Sequence, residues 1–174
     1  MTTASPSTAS PALSLTPVKG LLILLALVVV ISAFLAVTHA LGLREVWAAF
    51  LFLLYWAGIE HAAPERLPAG IIGAALGLLM GYLLHTLPAA LGLTPGLLVF
   101  LALVLVMVYC QIMRWLPLAV NLMAMLYLTV STIPHLQSAA DFTGAFLALL
   151  AGVVYFAGLV LVGHWWQKRK AAAN

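Results

Sequence analysis

Residues 20–31 read GLLILLALVVVI, and residues 96–107 read GLLVFLALVLVM. The two stretches align without a gap and share eight of twelve positions, and each follows a Leu-Thr-Pro, at 15–17 and 93–95. Each lies in a long apolar run, and a helix of about 20 apolar residues crosses the hydrocarbon core of a bilayer. The sequence therefore predicts membrane-spanning helices and a duplicated unit.

The composition of the whole chain also indicates a membrane protein. Of its 174 residues, 66% are apolar and 6% are charged, and the mean hydropathy is +1.20. Four acids and seven bases are too few to cover the surface of a water-soluble fold. The bases are scattered except for Lys168, Arg169 and Lys170, so the net charge of +3 favours an anionic leaflet, and not nucleic acid, as a partner.

Six apolar segments are candidates for helices, joined by short connections that carry Pro, Gly or a charge. They cover residues 20–43, 46–59, 67–84, 95–113, 115–133 and 142–166. The expected fold class is all-α, a polytopic membrane protein with six transmembrane helices over residues 19–167. A Ser/Thr/Pro-rich tail at 1–18 is expected to be disordered, and a basic tail follows at 168–174.

The positions of the bases predict the orientation. Six crossings with a cytoplasmic N-terminus leave only Arg44 outside. The bases inside are then Lys19, Arg66, Arg114, Lys168, Arg169 and Lys170. In the alternative, segments two and five dip into the membrane and return, and the split weakens to four against three. The bases thus favour six crossings with both termini in the cytoplasm.

Two further matches extend the repeat. Residues 53–55 and 125–127 both end in Leu-Tyr, and GAALGLLMG at 73–81 matches GAFLALLAG at 144–152. The offsets of the three matches are 76, 72 and 71, so their order and spacing agree. Chance agreement among Leu- and Ala-rich helices is the alternative. Two units of three helices enter the membrane from opposite sides, so a real repeat means a 3+3 inverted repeat, with halves of about 19–86 and 93–167.

Small residues recur every four positions in the third and sixth helices. They are Gly73, Gly77 and Gly81 in the first half and Gly144, Ala148 and Gly152 in the second. Such stripes let two helix backbones approach closely in lipid. We expect the third and sixth helices to cross at these stripes; a homodimer that uses the same stripes is the alternative.

The second and fifth segments are the candidates for a substrate pathway, because short or interrupted helices at matching places mark the sites of inverted-repeat transporters. The second is short, and the fifth contains Pro117 and Asn121. The candidate residues are Tyr55, Trp56, Glu60, His61, Asn121, Tyr127, Thr129, Ser131 and Thr132. Glu60, with His61 beside it, is a candidate cation or proton site. Alternatively, Glu60 lies at the headgroups near Arg66, and the hydroxyls bond to helix carbonyls.

Trp56-Ala57-Gly58 leads into the Gly/Ala-rich third helix. With its size and six-helix layout, the chain resembles, over about residues 45–165, a family of small bacterial inner-membrane proteins that is catalogued as a domain of unknown function. The resemblance implies a location in the bacterial inner membrane and a transporter- or channel-like bundle. It implies no substrate and no functional residues.

The expected function is a small-solute channel or transporter of inverted-repeat type. The alternative is a non-transporting accessory or assembly subunit that binds a partner membrane protein. The sequence contains no catalytic constellation, phosphate loop or metal-ligand spacing, so we expect no enzyme activity, cofactor or metal. The expected partners are the bilayer, a small solute and further copies of the chain. Asp141 is expected to cap the sixth helix.

Overall fold

The computed structural model describes residues 17–138 and 141–172, which are helical throughout apart from short connections. The predicted tail falls outside these residues up to position 16. The helices are α1 (Pro17–Ala40), α2 (Trp47–Gly58), α3 (Leu67–Leu91), α4 (Leu93–Ile112), α5 (Leu122–Ser131), α6 (Pro134–Ser138), α7 (Phe142–Gly152) and α8 (Gly158–Ala172). A 3₁₀ turn, Pro64–Arg66, precedes α3, and a π-helical turn, Val153–Ala157, joins α7 to α8.

Four helical stretches are long and apolar enough to cross a membrane. They are Pro17–Ala40, Pro64–Leu91, Leu93–Ile112 and Phe142–Lys170. The chain forms two compact units, Met1–Ala33 and Phe34–Asn174. Within the described residues, the first unit consists of the start of α1, and the second contains the end of α1 and all the other helices.

Two of the apolar helices, α2 and α5, are too short to cross a membrane and, unlike α7, do not continue into a longer helix. α2 has 12 residues and α5 has 10, so their lengths are about 18 Å and 15 Å, against about 30 Å of hydrocarbon. The fifth segment, expected at 115–133, becomes helical only at Leu122. Asn121 adopts an extended backbone and caps α5, since its side chain accepts a hydrogen bond from the Ala124 N–H. The loop that holds Pro117 therefore stays outside the helix.

The third and sixth helices are longer than expected. α3 continues through Pro88 to Leu91 and ends at Gly92, whose φ of 92° favours glycine. The α7–α8 helix continues to Ala172, so the bases of the predicted tail at 168–170 lie on a helix. Asp141 caps α7 as expected, with Oδ1 accepting from the Gly144 N–H at 2.8 Å.

The glycine stripe of α3 lies against α5. A Cβ at Gly73 would overlap the Asn121 side chain, one at Gly77 would overlap the Ala124 carbonyl oxygen and Tyr127 Cβ, and one at Gly81 would overlap Ser131 Cβ. Residue numbers rise together along this contact, so the two helices run in the same direction. Without side chains on this face of α3, the two backbones are in direct contact.

The expected crossing of the two small-residue stripes is therefore corrected. In the second stripe, Ala148 is fully buried, and a Cβ at Gly152 would overlap Ala49 of α2. A Cβ at Gly144 would meet the carboxylate of Asp141, the cap of its own helix. α3 and α7 do touch, at Gly81 and Phe142, but Gly81 and Gly152 each pack on a short helix from the other half of the chain. α5 covers the stripe of α3, and α2 packs at Gly152 in the stripe of α7. The two stripes therefore do not face each other.

Charged residues separate to the two ends of this unit. α4 runs antiparallel to α3, since a Cβ at Gly96 would overlap the backbone of Leu87 and Pro88 near the end of α3. Arg114, just after α4, thus lies at the same end as Arg66, just before α3. α7 begins beside Tyr82 and runs the opposite way to α3, so α8 carries its bases toward the Arg66 end as well. Arg44 lies at the other end.

We predict that Gly77→Ala destabilises the protein. The added methyl overlaps the α5 backbone, and overpacking of this kind lowers the free energy of unfolding by about 1–3 kcal/mol. Thermal unfolding in detergent measures the change. Gly163→Ala in α8 is the matched control, because a Cβ there meets no atom within 4 Å. Equal stability of the two variants would contradict the close approach of α3 and α5.

Candidate ligand pocket

The polar residues at the end of α2 form a local hydrogen-bonded group. The Tyr55 hydroxyl donates to Glu60 Oε1 at 3.0 Å, and Arg66 Nε lies 3.7 Å from Glu60 Oε2. The Trp56 indole N–H donates to the Ala63 carbonyl at 3.0 Å. His61 is exposed and has a left-handed backbone, with φ of 52°. Glu60 therefore has two side-chain partners at the end of the unit that holds Arg66.

The polar residues of α5 bond mainly to backbone carbonyls. Asn121 Nδ2 donates to the Ala69 carbonyl at 2.8 Å, which ties the start of α5 to α3. The Tyr127 hydroxyl donates to the Ala48 carbonyl of α2. Thr129 and Thr132 are exposed, and their hydroxyls donate to carbonyls of α5 three or four residues earlier.

The structure brings some candidate pathway residues together and separates others. Tyr55 and Glu60 meet directly, whereas Tyr127 lies in the middle of the core, fully buried like Phe52 and Trp56. Ser131 lies at the far end of α5, next to Gly81. The candidates thus extend over both ends of the unit and are separated by packed aromatic side chains.

Ser131 lines a small pocket at the end of the unit opposite Arg66. The pocket is partly open and has room for a ligand no larger than about one water molecule. The lining residues come from the starts of α2 and α7 and from the connection after α5. They are Glu45, Trp47, Ser131, Leu136, Asp141, Phe142 and Ala145.

Hydrogen bonds hold the walls of this pocket. Trp47 Nε1 donates to Glu45 Oε2 at 2.6 Å, and Asp141 Oδ1 caps α7. Gln137 Nε2 donates to the carbonyls of Ser131 and Gly81, which joins the connection after α5 to α3. Glu45, Trp47 and Gln137 were not among the sequence candidates. The cap signal of Asp141 was visible in the sequence, but only packing places it opposite Glu45.

Among residues 17–138 and 141–172, no group of three or more His, Cys, Asp or Glu side chains is placed to hold a metal ion. The chain matches no protein-family model, no curated protein and no solved structure.

We predict that Tyr127→Phe lowers the free energy of unfolding by about 1 kcal/mol, because the buried hydrogen bond from α5 to the Ala48 carbonyl is lost. Chemical or thermal unfolding of the purified protein measures the effect. Tyr82→Phe is the control, since the Tyr82 hydroxyl makes no hydrogen bond to the described residues and its ring is 45% exposed. A loss no larger than that of the control would show that the bond contributes nothing to stability.

Proposed function

We propose that this chain is a membrane transport protein of inverted-repeat type, a small-solute channel or transporter, with six passages of the membrane and no enzymatic activity. The observation that carries the proposal is the pair of short helices, α2 and α5. One lies in each half, and each packs on the long, small-residue helix of the other half. Short helices at matching places in two halves are characteristic of transporter binding sites.

The directions of the helices support six passages. α5 starts beside Gly73 and ends beside Gly81, so it advances along α3 and does not turn back. α2 starts at the pocket near Ser131 and ends at Trp56, which bonds to Ala63 just before α3. Each short helix, with the non-helical residues that flank it, thus carries the chain between the two ends.

The partner exchange supports an inverted repeat, although the two contacts differ in register. Under the repeat, α3 corresponds to α7, and α5 corresponds to α2. The contact between α3 and α5 therefore corresponds to the contact between α7 and α2. Both pairs are parallel: the starts of α2 and α7 meet at the pocket. Gly81 faces Ser131, whereas its counterpart Gly152 faces Ala49, about ten residues before the counterpart of Ser131. Under the proposed repeat, the two contacts would therefore differ in register by more than two helical turns.

The distribution of bases supports an orientation with the C-terminus in the cytoplasm of a bacterial cell and the pocket on the outer side. Arg66, Arg114 and the bases of α8 share one end, and Arg44 lies at the other. This is the asymmetry expected of cytoplasmic and external loops. The N-terminus is then cytoplasmic as well, after six passages.

Irregular backbone at the pocket also favours transport. Residues 41–46 and 132–133 are non-helical, and they lie next to membrane-length helices. Backbone of this kind at membrane depth is tolerated where it is buried in protein or lines a water-filled cavity. Under the proposed topology, the pocket at the starts of α2 and α7 would be such a place.

One observation favours the alternative, an accessory or assembly subunit. The core between the two ends is closed: Tyr127, Trp56 and Phe52 are buried, and the two side chains that carry polar atoms have hydrogen-bond partners. A transporter with this core must open it during its cycle, whereas an accessory subunit would keep it closed.

Cysteine labelling from each side of the membrane separates the two functions. Cys110, the single cysteine of the sequence, is replaced by Ala, and Leu136→Cys, at a half-buried position that lines the partly open pocket, is treated with a small membrane-impermeant thiol reagent in right-side-out and inverted vesicles. Transport predicts labelling from the outside and, more slowly, from the cytoplasmic side, because the core must open. Labelling from the outside alone, or from neither side, contradicts transport.

Two control positions calibrate this assay in the same background. Leu105→Cys on the exposed apolar surface of α4 is expected to stay unlabelled, because the reagent does not enter lipid. Glu65→Cys, exposed beside Arg66, is expected to react only from the cytoplasmic side. Glu65→Cys labelling from the outside would reverse the proposed orientation.

A further inference from the structure

The last helical stretch of the chain is longer than a membrane requires. It runs for 29 residues from Phe142 to Lys170, or about 43 Å, whereas the hydrocarbon of a bilayer is about 30 Å thick. A span that begins beside the charged Asp141 therefore leaves the hydrocarbon at about Leu161. The apolar sequence ends at the same place, because polar and aromatic residues follow from Gly163 onward. The end of α8 thus extends into the headgroup region.

No described part of the chain covers this end of α8. Residues 161–170 are all exposed, and the rings of Trp165 and Trp166 are 48% and 60% exposed. Exposed tryptophans next to charges are characteristic of membrane interfaces, where the ring meets lipid and the indole N–H stays hydrated. Trp115 is exposed in the same way beside Arg114, at the same end of the unit. This end therefore has the character of an interface with headgroups.

Rings and bases lie one helical turn apart on this segment. Residues 164–166 are His-Trp-Trp and residues 168–170 are Lys-Arg-Lys, so each ring is followed by a base four positions later. On a helix such residues are neighbours on one face, and the base lies about 6 Å farther along the axis. When the rings lie at the edge of the hydrocarbon, the bases therefore reach the level of the lipid phosphates.

Arg169 is held in a way that suits a phosphate. Its Cζ lies 3.6 Å from the centroid of the Trp165 ring, which is a cation–π contact. The contact uses the flat face of the guanidinium group and leaves the N–H donors along its edge available. None of the three bases at 168–170 forms an ion pair with a described residue, and no acidic residue follows Asp141 in the sequence. Their positive charge is thus not neutralised within the chain.

We propose that the end of α8, residues 164–170, binds the headgroup phosphate of an anionic phospholipid. Arg169, stacked on Trp165, donates to the phosphate oxygens, and Lys168 and Lys170 add positive charge on either side. Three unpaired bases select a lipid of net negative charge over a zwitterionic one. The inference requires that the chain lies in a bilayer, but it depends neither on transport nor on the proposed orientation.

A second copy of the chain is the alternative occupant. In the same orientation, that copy would present the acids of the Arg66 end at the level of the bases. Glu60 already interacts with Arg66, which leaves Glu65 as the exposed acid without an ion pair in the described part of the chain. One carboxylate is a poor match for three bases, whereas a leaflet offers many anionic headgroups. Charge complementarity therefore favours lipid.

Quenching of tryptophan fluorescence by brominated lipids measures which lipid lies beside α8. The full chain is reconstituted in phosphatidylcholine that contains a minor fraction of phosphatidylglycerol or of phosphatidylcholine, brominated near the headgroup end of its acyl chains. The difference between the parent and the double variant Trp165→Phe, Trp166→Phe isolates the signal of these two rings. We expect a preference for phosphatidylglycerol of about five-fold or more, since each base near an anionic surface contributes about that factor. High salt should reduce the preference.

Matched variants tie the preference to the bases of α8. The triple variant Lys168→Gln, Arg169→Gln, Lys170→Gln changes exposed positions only, so we expect it to fold and to quench equally with both lipids. The double variant Lys168→Arg, Lys170→Arg keeps all three charges and should keep the preference. Arg44→Gln removes an exposed base at the other end of the unit and should keep it as well.

Three results would overturn the site. The first is equal quenching of the two rings by both lipids in the parent, and the second is a preference that the triple variant retains. The third is weak quenching by both lipids that becomes stronger in Glu65→Gln, which would identify a second copy as the occupant. A preference that is lost in the triple variant alone is the result that the proposal predicts.

Discussion

Gly77 has no side chain, and the backbone of α3 lies directly on that of α5 as a result. The other two glycines of the stripe allow the same approach at Asn121 and Ser131. In lipid there is little hydrophobic gain from bringing two apolar helices together, so close packing and interhelical hydrogen bonds drive the association. The bond from Asn121 to the Ala69 carbonyl forms at one end of this contact, and those from Gln137 to Gly81 and Ser131 form at the other. The contact therefore fixes both ends of α5.

Each of the short helices α2 and α5 packs on the small-residue helix of the other half. Under the six passages that we propose, a helix of 10 or 12 residues cannot cross the hydrocarbon alone, so irregular backbone would complete its path and would need partners within the protein. Asn121, Gln137 and the Trp56 indole supply several of these partners. At the starts of α2 and α7, Glu45, Trp47 and Asp141 line a small, partly open pocket.

The sequence predicted much of this structure and missed some of it for identifiable reasons. Hydropathy found every long helix, because about 20 apolar residues in a row leave no other fold in lipid. Asp141 was recognised as a cap, since that signal is local. The small-residue stripes predicted that their helices pack closely against a neighbour, but they did not predict which neighbour. A stripe shows which face of a helix a second helix can approach, and more than one helix of the chain can pack there. Glu45 and Gln137 were missed because they lie in short connections without periodicity, and only the fold places them beside Ser131.

A double-mutant cycle tests most directly that each small-residue stripe packs on the short helix of the other half. A Cβ at Gly81 would overlap Ser131 Cβ, and one at Gly152 would overlap Ala49 Cβ. Thermal unfolding in detergent is measured for Gly81→Ala, Ser131→Gly and their double variant, and for Gly152→Ala, Ala49→Gly and their double variant. The account predicts that each double variant is more stable than the sum of its single changes by about 0.5–3 kcal/mol, because the second change removes the Cβ that the added methyl overlaps. Additive effects in both cycles, with coupling between Gly81→Ala and Gly152→Ala instead, would show that the stripes face each other and would contradict the account.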